Sequence, residues 1–219
     1  MDAVAEWTSG TPRVEFHEAE LEGSGEIQHQ QSNPPEVWVC GHTVVSPEKR
    51  VWCQPYGTQL GIASSRARVS WLGTREMLWD QLLPLIQSMV QQGISPNVII
   101  IHLGENDLVQ QTELGLTITM KNDLTTLCRA FPMAKIVWST LLPRRTWLGA
   151  QKPEAVDKTR KAVVNELSKF CSLSGISVLR HDQIVHSVPE LFSQDGVHLS
   201  EIGASIFNAN LREAIEACL

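Results

Sequence analysis

The sequence predicts an α/β fold in which a five-stranded parallel sheet lies between two layers of helices. Three observations lead to this prediction. Short β-branched runs alternate with longer amphipathic stretches along residues 36–219, most of the short runs are apolar, and small polar loops follow several of them. Parallel strands need long crossover connections, and the amphipathic stretches are long enough to supply them.

Five runs are predicted as strands because they are short and rich in Val, Ile and Trp. They are Val37–Cys40, Val69–Leu72, Val98–Leu103, Ile136–Ser139 and Ile176–Leu179. Ligands of parallel sheets bind beyond the carboxyl ends of the strands. The loops that follow these runs are therefore the places where a functional site is expected.

Four helices are predicted between and after the strands. The first begins near Gln81 and keeps Pro84 in its first turn, where proline is tolerated. Apolar side chains at helical spacing predict two further helices over Leu114–Phe131 and Pro153–Ser174. The segment that starts at Ser200 opens a last helix, which runs towards the C-terminus.

The charge of the chain is concentrated at one end. Residues 1–36 hold eight acids and one base, which leaves 16 of the 24 acids and 17 of the 18 bases in the remainder. The body of the chain is nearly neutral, so no clear nucleic-acid surface is predicted. Residues 1–35 also lack sustained apolar periodicity, and we expect them to form a disordered acidic tail before a single domain of residues 36–219.

Cysteine usage and apolar runs indicate the compartment. The five cysteines, Cys40, Cys53, Cys128, Cys171 and Cys218, are widely scattered, so neither a disulfide framework nor a metal site is predicted. We see no secretory signal and no apolar run long enough to span a membrane. A soluble cytoplasmic protein without a cofactor is expected, and its oligomeric state stays open.

Two short polar loops carry residues suited to catalysis. Asn106, in the loop after the third predicted strand, offers an amide that can stabilise an oxyanion. His198 is preceded by Asp195 at a spacing of three, as a general base and its orienting carboxylate would be. Each loop taken alone could also be an ordinary turn, because Asn, Asp and Gly favour turns.

Together these loops resemble the sequence blocks of the SGNH hydrolases, also called the GDSL esterase/lipase superfamily. In that family Gly-Asp-Ser follows the first strand, a glycine follows the second, Gly-x-Asn-Asp follows the third, and Asp-x-x-His lies near the C-terminus. The corresponding residues are Gly41-His42-Thr43, Gly73, Gly104-Glu105-Asn106-Asp107 and Asp195-Gly196-Val197-His198. The resemblance covers roughly residues 36–219, and its first block has threonine where the family has serine.

The region after the fourth predicted strand extends the resemblance. The segment from Ala134 to Arg144 is similar to that of the branch that includes platelet-activating-factor acetylhydrolase catalytic subunits. The chain is also similar to SGNH-like domains found in vertebrate mobile elements. These similarities imply a flavodoxin-like SGNH hydrolase fold, a three-layer α/β/α sandwich, for residues 36–219.

The resemblance also implies a role for each block. Thr43 would be the nucleophile, His198 the base and Asp195 its orienting acid, while Gly73 and Asn106 would contribute to an oxyanion hole. The implied ligand is a small acyl ester. Two alternatives remain. One is a catalytically inactive module whose pocket binds an acyl, glycan or nucleotide-like ligand, and the other is an interaction protein that uses its acidic tail or the Arg144-Arg145 pair.

Overall fold

A computed structural model describes residues 33–42 and 57–219 of this chain. The described residues after Asn33 belong to one compact unit, Pro34–Leu219. Residues 1–32 of the predicted tail and the predicted nucleophile Thr43 lie outside the described residues. No helix among the described residues is long and apolar enough to cross a membrane.

Five parallel strands form a single sheet, as predicted. They are β1 (Glu36–Gly41), β2 (Arg68–Leu72), β3 (Val98–His102), β4 (Lys135–Ser139) and β5 (Ser177–Leu179). Their order is β2-β1-β3-β4-β5. β1 and β3 are neighbours, and their last paired residues are Gly41 and His102. The loops that follow these two strands therefore start side by side.

Within residues 33–42 and 57–219, four helices connect or follow the strands. They are α1 (Leu82–Gln91), α2 (Glu113–Ala130), α3 (Pro153–Ser174) and α4 (Glu201–Cys218). A 3-10 turn over Trp79–Gln81 precedes α1, and Pro84 is the third residue of α1, in agreement with the predicted first turn. Thr112 and Ser200 are the N-caps of α2 and α4, and their side chains accept hydrogen bonds from Gly115 N and Gly203 N.

Alternate residues of the central strands point to opposite sides of the sheet. On one side, Val37 and Val39 of β1 belong to a buried cluster that also contains Phe207, Leu211 and Ile215 of α4. The intervening residue of β1, Trp38, is fully buried and makes an edge contact with the Phe131 ring after α2. α2 and α3 pack against each other. The result is the predicted α/β/α arrangement.

Candidate active site

The carboxylate and the imidazole of the fourth block are paired directly. His198 Nδ1 lies 2.6 Å from Asp195 Oδ2, while Asp195 Oδ1 accepts hydrogen bonds from Ser193 Oγ, Val197 N and His198 N. Burial acts to raise the pKa of Asp195, but these hydrogen bonds hold it well below its usual range. The ionised carboxylate favours the proton on Nδ1, which leaves Nε2 of His198 free to act as a base.

The loop that carries this pair is fastened at both sides. Phe192 and Leu199 form an antiparallel bridge across its base. At its tip, the Gly196 carbonyl accepts hydrogen bonds from the backbone N–H groups of Arg145 and Thr146. Gly196 has φ +68°, and a Cβ there would lie 2.5 Å from Thr146 Oγ1. Glycine is therefore required by both conformation and space.

The amide of Asn106 is held at both of its ends. Its Oδ1 accepts a hydrogen bond of 2.9 Å from Arg144 Nη2, and its Nδ2 donates one of 3.1 Å to the Met77 carbonyl. The amide group carries two hydrogens, so one remains for a further acceptor. The Arg144 guanidinium also lies over the Trp147 ring, 5.3 Å from its centre.

The glycine of the second block lies against the first block. A Cβ on Gly73 would lie 1.8 Å from the Gly41 carbonyl oxygen, so only glycine allows the two loops to approach so closely. The first and third blocks are also in contact, because His42 Nε2 lies 2.8 Å from Glu105 Oε2. Arg144 and Arg145, which are adjacent in sequence, contact the third and fourth blocks respectively.

A line of buried polar side chains was missed by the sequence analysis. Glu105 Oε1 lies 3.4 Å from His102 Nε2, and His102 Nδ1 lies 2.9 Å from Ser139 Oγ. The line continues from Ser139 Oγ to His181 Nε2 at 2.7 Å. It ends at Asn210 Nδ2, which lies 3.1 Å from His181 Nδ1. These residues come from β3, β4, α4 and the loops after β3 and β5.

Burial shifts the pKa values of the titratable groups along this line. It lowers the pKa of His102 to about 4 and that of His181 to about 3, although the Glu105 carboxylate acts to raise both. Burial acts to raise the pKa of Glu105, but His102, His42 and Arg144 hold that pKa well below its usual range. Glu105 is therefore a buried carboxylate in contact with two histidines.

One pattern in the sequence could have revealed part of this line. His102 is the last residue of β3, and Glu105 lies three residues later. β1, the strand next to β3, ends immediately before His42. Parallel neighbouring strands place such residues at the same edge of the sheet. The contributions of Ser139, His181 and Asn210 depend on tertiary packing.

The fold is shared with several bacterial esterases and lipases. A GDSL-like lipase from Bacteroides thetaiotaomicron has a TM-score of 0.67 and 18% identity, with 84% of this chain and 89% of that chain covered. The Mycobacterium smegmatis aryl esterase has a TM-score of 0.65 and 16% identity, with 84% and 100% covered. A lipolytic protein of the G-D-S-L family from Veillonella parvula has a TM-score of 0.63 and 15% identity, with 81% and 96% covered.

Sequence comparisons add nothing to this likeness. No family model matches the chain, and no curated protein matches it. The structural likeness confirms the predicted fold. At these identities, the fold is what the likeness establishes.

Proposed function

We propose that this protein is an ester hydrolase that acts through Thr43, His198 and Asp195. The observation that carries the proposal is the His198–Asp195 pair, whose short Nδ1 to Oδ2 contact leaves Nε2 available as a base. The fixed amide of Asn106 and the close approach of Gly73 to the first block support it. The hydrolases and esterases of the same fold make this chemistry the natural candidate.

In the proposed reaction, Thr43 Oγ attacks the ester carbonyl while His198 Nε2 takes the hydroxyl proton. The negative charge that develops on the carbonyl oxygen is stabilised by the free hydrogen of Asn106 Nδ2 and by the backbone N–H groups of Gly73 and residue 43. The imidazolium then gives its proton to the departing alkoxide. Water then attacks the acyl-threonine while His198 Nε2 takes one of its protons. The bond from the acyl carbon to Thr43 Oγ breaks, the imidazolium returns the proton to Thr43 Oγ, and the carboxylic acid is released.

Small acyl esters are the proposed substrate class. This proposal follows from the resemblance and from the aryl esterase and lipases of the same fold. The proposed chemistry needs only groups that the chain itself supplies. Asp195 remains ionised throughout and stabilises the imidazolium that forms at each proton transfer.

The second candidate is a module that binds an acyl ligand without hydrolysing it. Two observations favour it: threonine occupies the nucleophile position, where its methyl group restricts χ1, and the Met77 carbonyl already takes one hydrogen of the Asn106 amide. In this case Thr43→Ser would restore turnover to a pocket that is otherwise intact.

Hydrolysis of a short-chain chromogenic ester by the native chain, Thr43→Ser, Thr43→Ala and His198→Ala separates the two candidates. His186→Ala is the matched control, because His186 is an exposed histidine that is not part of the proposed triad. Native activity that is lost in Thr43→Ala and His198→Ala and kept in His186→Ala supports the threonine hydrolase. A silent native chain with an active Thr43→Ser variant supports the binding module, and silence of both contradicts the hydrolase.

A further inference from the structure

Three side chains with metal-binding atoms face one another at the ends of β1 and β3. They are His42, His102 and Glu105, and we call them the His–Glu cluster. Their exposed fractions are 4%, 0% and 1%, so the cluster is enclosed by protein. One ligand atom from each residue, two imidazole nitrogens and one carboxylate oxygen, lies within 4.8 Å of the others.

One nitrogen of the His–Glu cluster has no hydrogen-bond partner. His102 Nε2 is buried and unpaired, although Glu105 Oε1 is only 3.4 Å away. The direction of that contact does not meet hydrogen-bond geometry. Buried polar atoms are nearly always satisfied, so an unpaired imidazole nitrogen that faces a carboxylate calls for a partner. A cation between the two groups would supply it.

The spacing of the cluster suits a transition metal. Zinc binds imidazole nitrogens and carboxylate oxygens at about 2.0–2.2 Å in a tetrahedron, which places neighbouring ligand atoms about 3.3 Å apart. The observed separations are 2.8 Å from His42 Nε2 to Glu105 Oε2 and 3.4 Å from His102 Nε2 to Glu105 Oε1. Small side-chain displacements would bring the three ligand atoms to one ion.

We propose that the His–Glu cluster binds one divalent transition-metal ion of the Zn²⁺ type. His42 Nε2, His102 Nε2 and the Glu105 carboxylate would be its three protein ligands. Two imidazoles and one carboxylate favour zinc over magnesium or calcium, which prefer oxygen ligands.

The surrounding hydrogen bonds would orient two of the three ligands. The backbone N–H of Leu142 donates to Glu105 Oε1 at 2.8 Å, which leaves Oε2 directed towards His42. Ser139 Oγ contacts Nδ1 of His102, so that Nδ1 can donate its proton to Ser139 while Nε2 keeps a lone pair for the metal. Such outer contacts fix the ring orientation of metal-bound histidines.

Metal binding would therefore set the direction of the hydrogen bonds along the buried line. If His102 donates to Ser139, the Ser139 hydroxyl donates to His181 Nε2, and His181 Nδ1 carries a proton that needs an acceptor. Asn210 would meet this need by turning its amide so that Oδ1 replaces Nδ2 opposite His181. The proposed metal would thus determine the orientation of the Asn210 amide on α4.

The first experiment measures zinc and cobalt binding by the full-length chain, purified without an affinity tag and treated with a chelator. We expect one tightly bound equivalent of Zn²⁺ and visible d–d bands of a low-symmetry Co²⁺ site. Glu105→Gln and His102→Asn should lose this equivalent, and His186→Ala should keep it. Ser139→Ala should weaken binding about 10- to 100-fold, as expected when an outer contact is removed.

X-ray absorption of the native zinc-loaded chain provides a test that needs no variant to fold. Nitrogen and oxygen neighbours at about 2.0–2.1 Å, with scattering from two imidazoles, support the cluster as the site. Sulfur neighbours would assign the zinc to cysteines and overturn the proposal. The absence of a tight equivalent, or unchanged binding in a folded His102→Asn variant, would also overturn it. These readouts do not depend on ester hydrolysis, so the proposed activity and the proposed site stand or fall separately.

Discussion

At the scale of single residues, the candidate site is organised by groups that fix one another. Asn106 is held by Arg144 on its oxygen and by Met77 on its nitrogen. His198 is held by Asp195, whose other oxygen is fixed by backbone N–H groups of the same loop. Donors and bases that are fixed before the substrate binds need no reorganisation during the reaction, which is how such sites lower a barrier.

Replacement of Asn106 tests its role as an oxyanion donor. In a native chain that hydrolyses esters, Asn106→Ala should lower kcat about 10²- to 10³-fold with little change in KM, because the lost hydrogen bond forms mainly in the transition state. Arg144→Lys should cause a smaller fall, since Lys keeps the charge but loses the planar guanidinium. Steady-state kinetics check both. Asn122→Ala, at an exposed position of α2, is the control, and an equal loss there would contradict the assignment.

Asp107 should make stability fall as the pH rises. Burial raises its pKa to about 6, although Trp79 N donates to its carboxylate. The folded state then binds more protons than the unfolded state between about pH 4 and pH 6, so the free energy of unfolding decreases over this range. In Asp107→Asn, the free energy of unfolding should decrease less over this range, by up to about 3 kcal/mol, because each unit of pKa shift corresponds to about 1.36 kcal/mol.

Urea unfolding at pH 4.5 and pH 7.5, with chelator present, measures this effect. The comparison is between the two pH-dependent differences in the free energy of unfolding, so contributions from other titrating groups largely cancel. The decrease should be larger for the native chain than for Asp107→Asn. Equal decreases in the two proteins would show that Asp107 has an ordinary pKa.

At the scale of elements, the ends of helices and strands place the functional groups. Ser200 lies two residues after His198 and caps α4. Its Oγ accepts a hydrogen bond from Gly203 N at 3.2 Å and donates one to the Glu190 carbonyl at 2.5 Å. The cap therefore joins the start of α4 to the segment before the loop of Asp195 and His198. The position of His198, the proposed base, is linked in this way to the start of a long helix.

Ser200→Ala should reduce both stability and activity. The loss of an N-cap costs about 0.5–2 kcal/mol of unfolding free energy, and here it also loosens the segment next to His198. Thr112→Ala is the matched control, because Thr112 caps α2 in the same way. Thermal unfolding and ester kinetics should show similar destabilisation in both variants, with a loss of activity well below either melting temperature only in Ser200→Ala. Equal activities of Ser200→Ala and Thr112→Ala would show that the Ser200 cap does not affect the function of His198.

The sequence predicts elements better than it predicts contacts. The β-branched runs and the helical periodicities predict all five strands and all four described helices, with differences of a residue or two, such as the end of β3 at His102 instead of Leu103. The pairing of Asp195 with His198 was also predictable, because the residues lie three apart in a turn. The side chains of His42 and Glu105 are in contact because β1 and β3 are neighbours in the sheet. The spacing of the two residues in the sequence does not predict that contact.

At the scale of the whole molecule, the described domain has its own core and its own sheet. Buried side chains of the central strands pack against α4 on one side, and Trp38 meets Phe131 on the other. Pro34–Leu219 is a compact unit in itself. The acidic segment that precedes it is predicted to be disordered, and such a segment adds little to the stability of a neighbouring domain.

Removal of residues 1–32 should therefore leave the melting temperature within about 2 °C, since less than about 0.5 kcal/mol of unfolding free energy should be lost. Differential scanning calorimetry of the full-length chain and the shortened chain tests this expectation. A shortened chain with ester activity and metal content equal to those of the full chain would place both sites within residues 33–219. A large drop in melting temperature would mean that the acidic segment packs on the domain.

The strand order has a consequence for how the protein is made. β1 pairs with β3, about sixty residues further along the chain, so the centre of the sheet cannot form until β3 has left the ribosome. Asp195 and His198 follow much later, close to the C-terminus. Folding that depends on distant pairings is slow. Synthesis therefore supplies the five strands first, and the Asp195–His198 pair only shortly before α4, which completes the core.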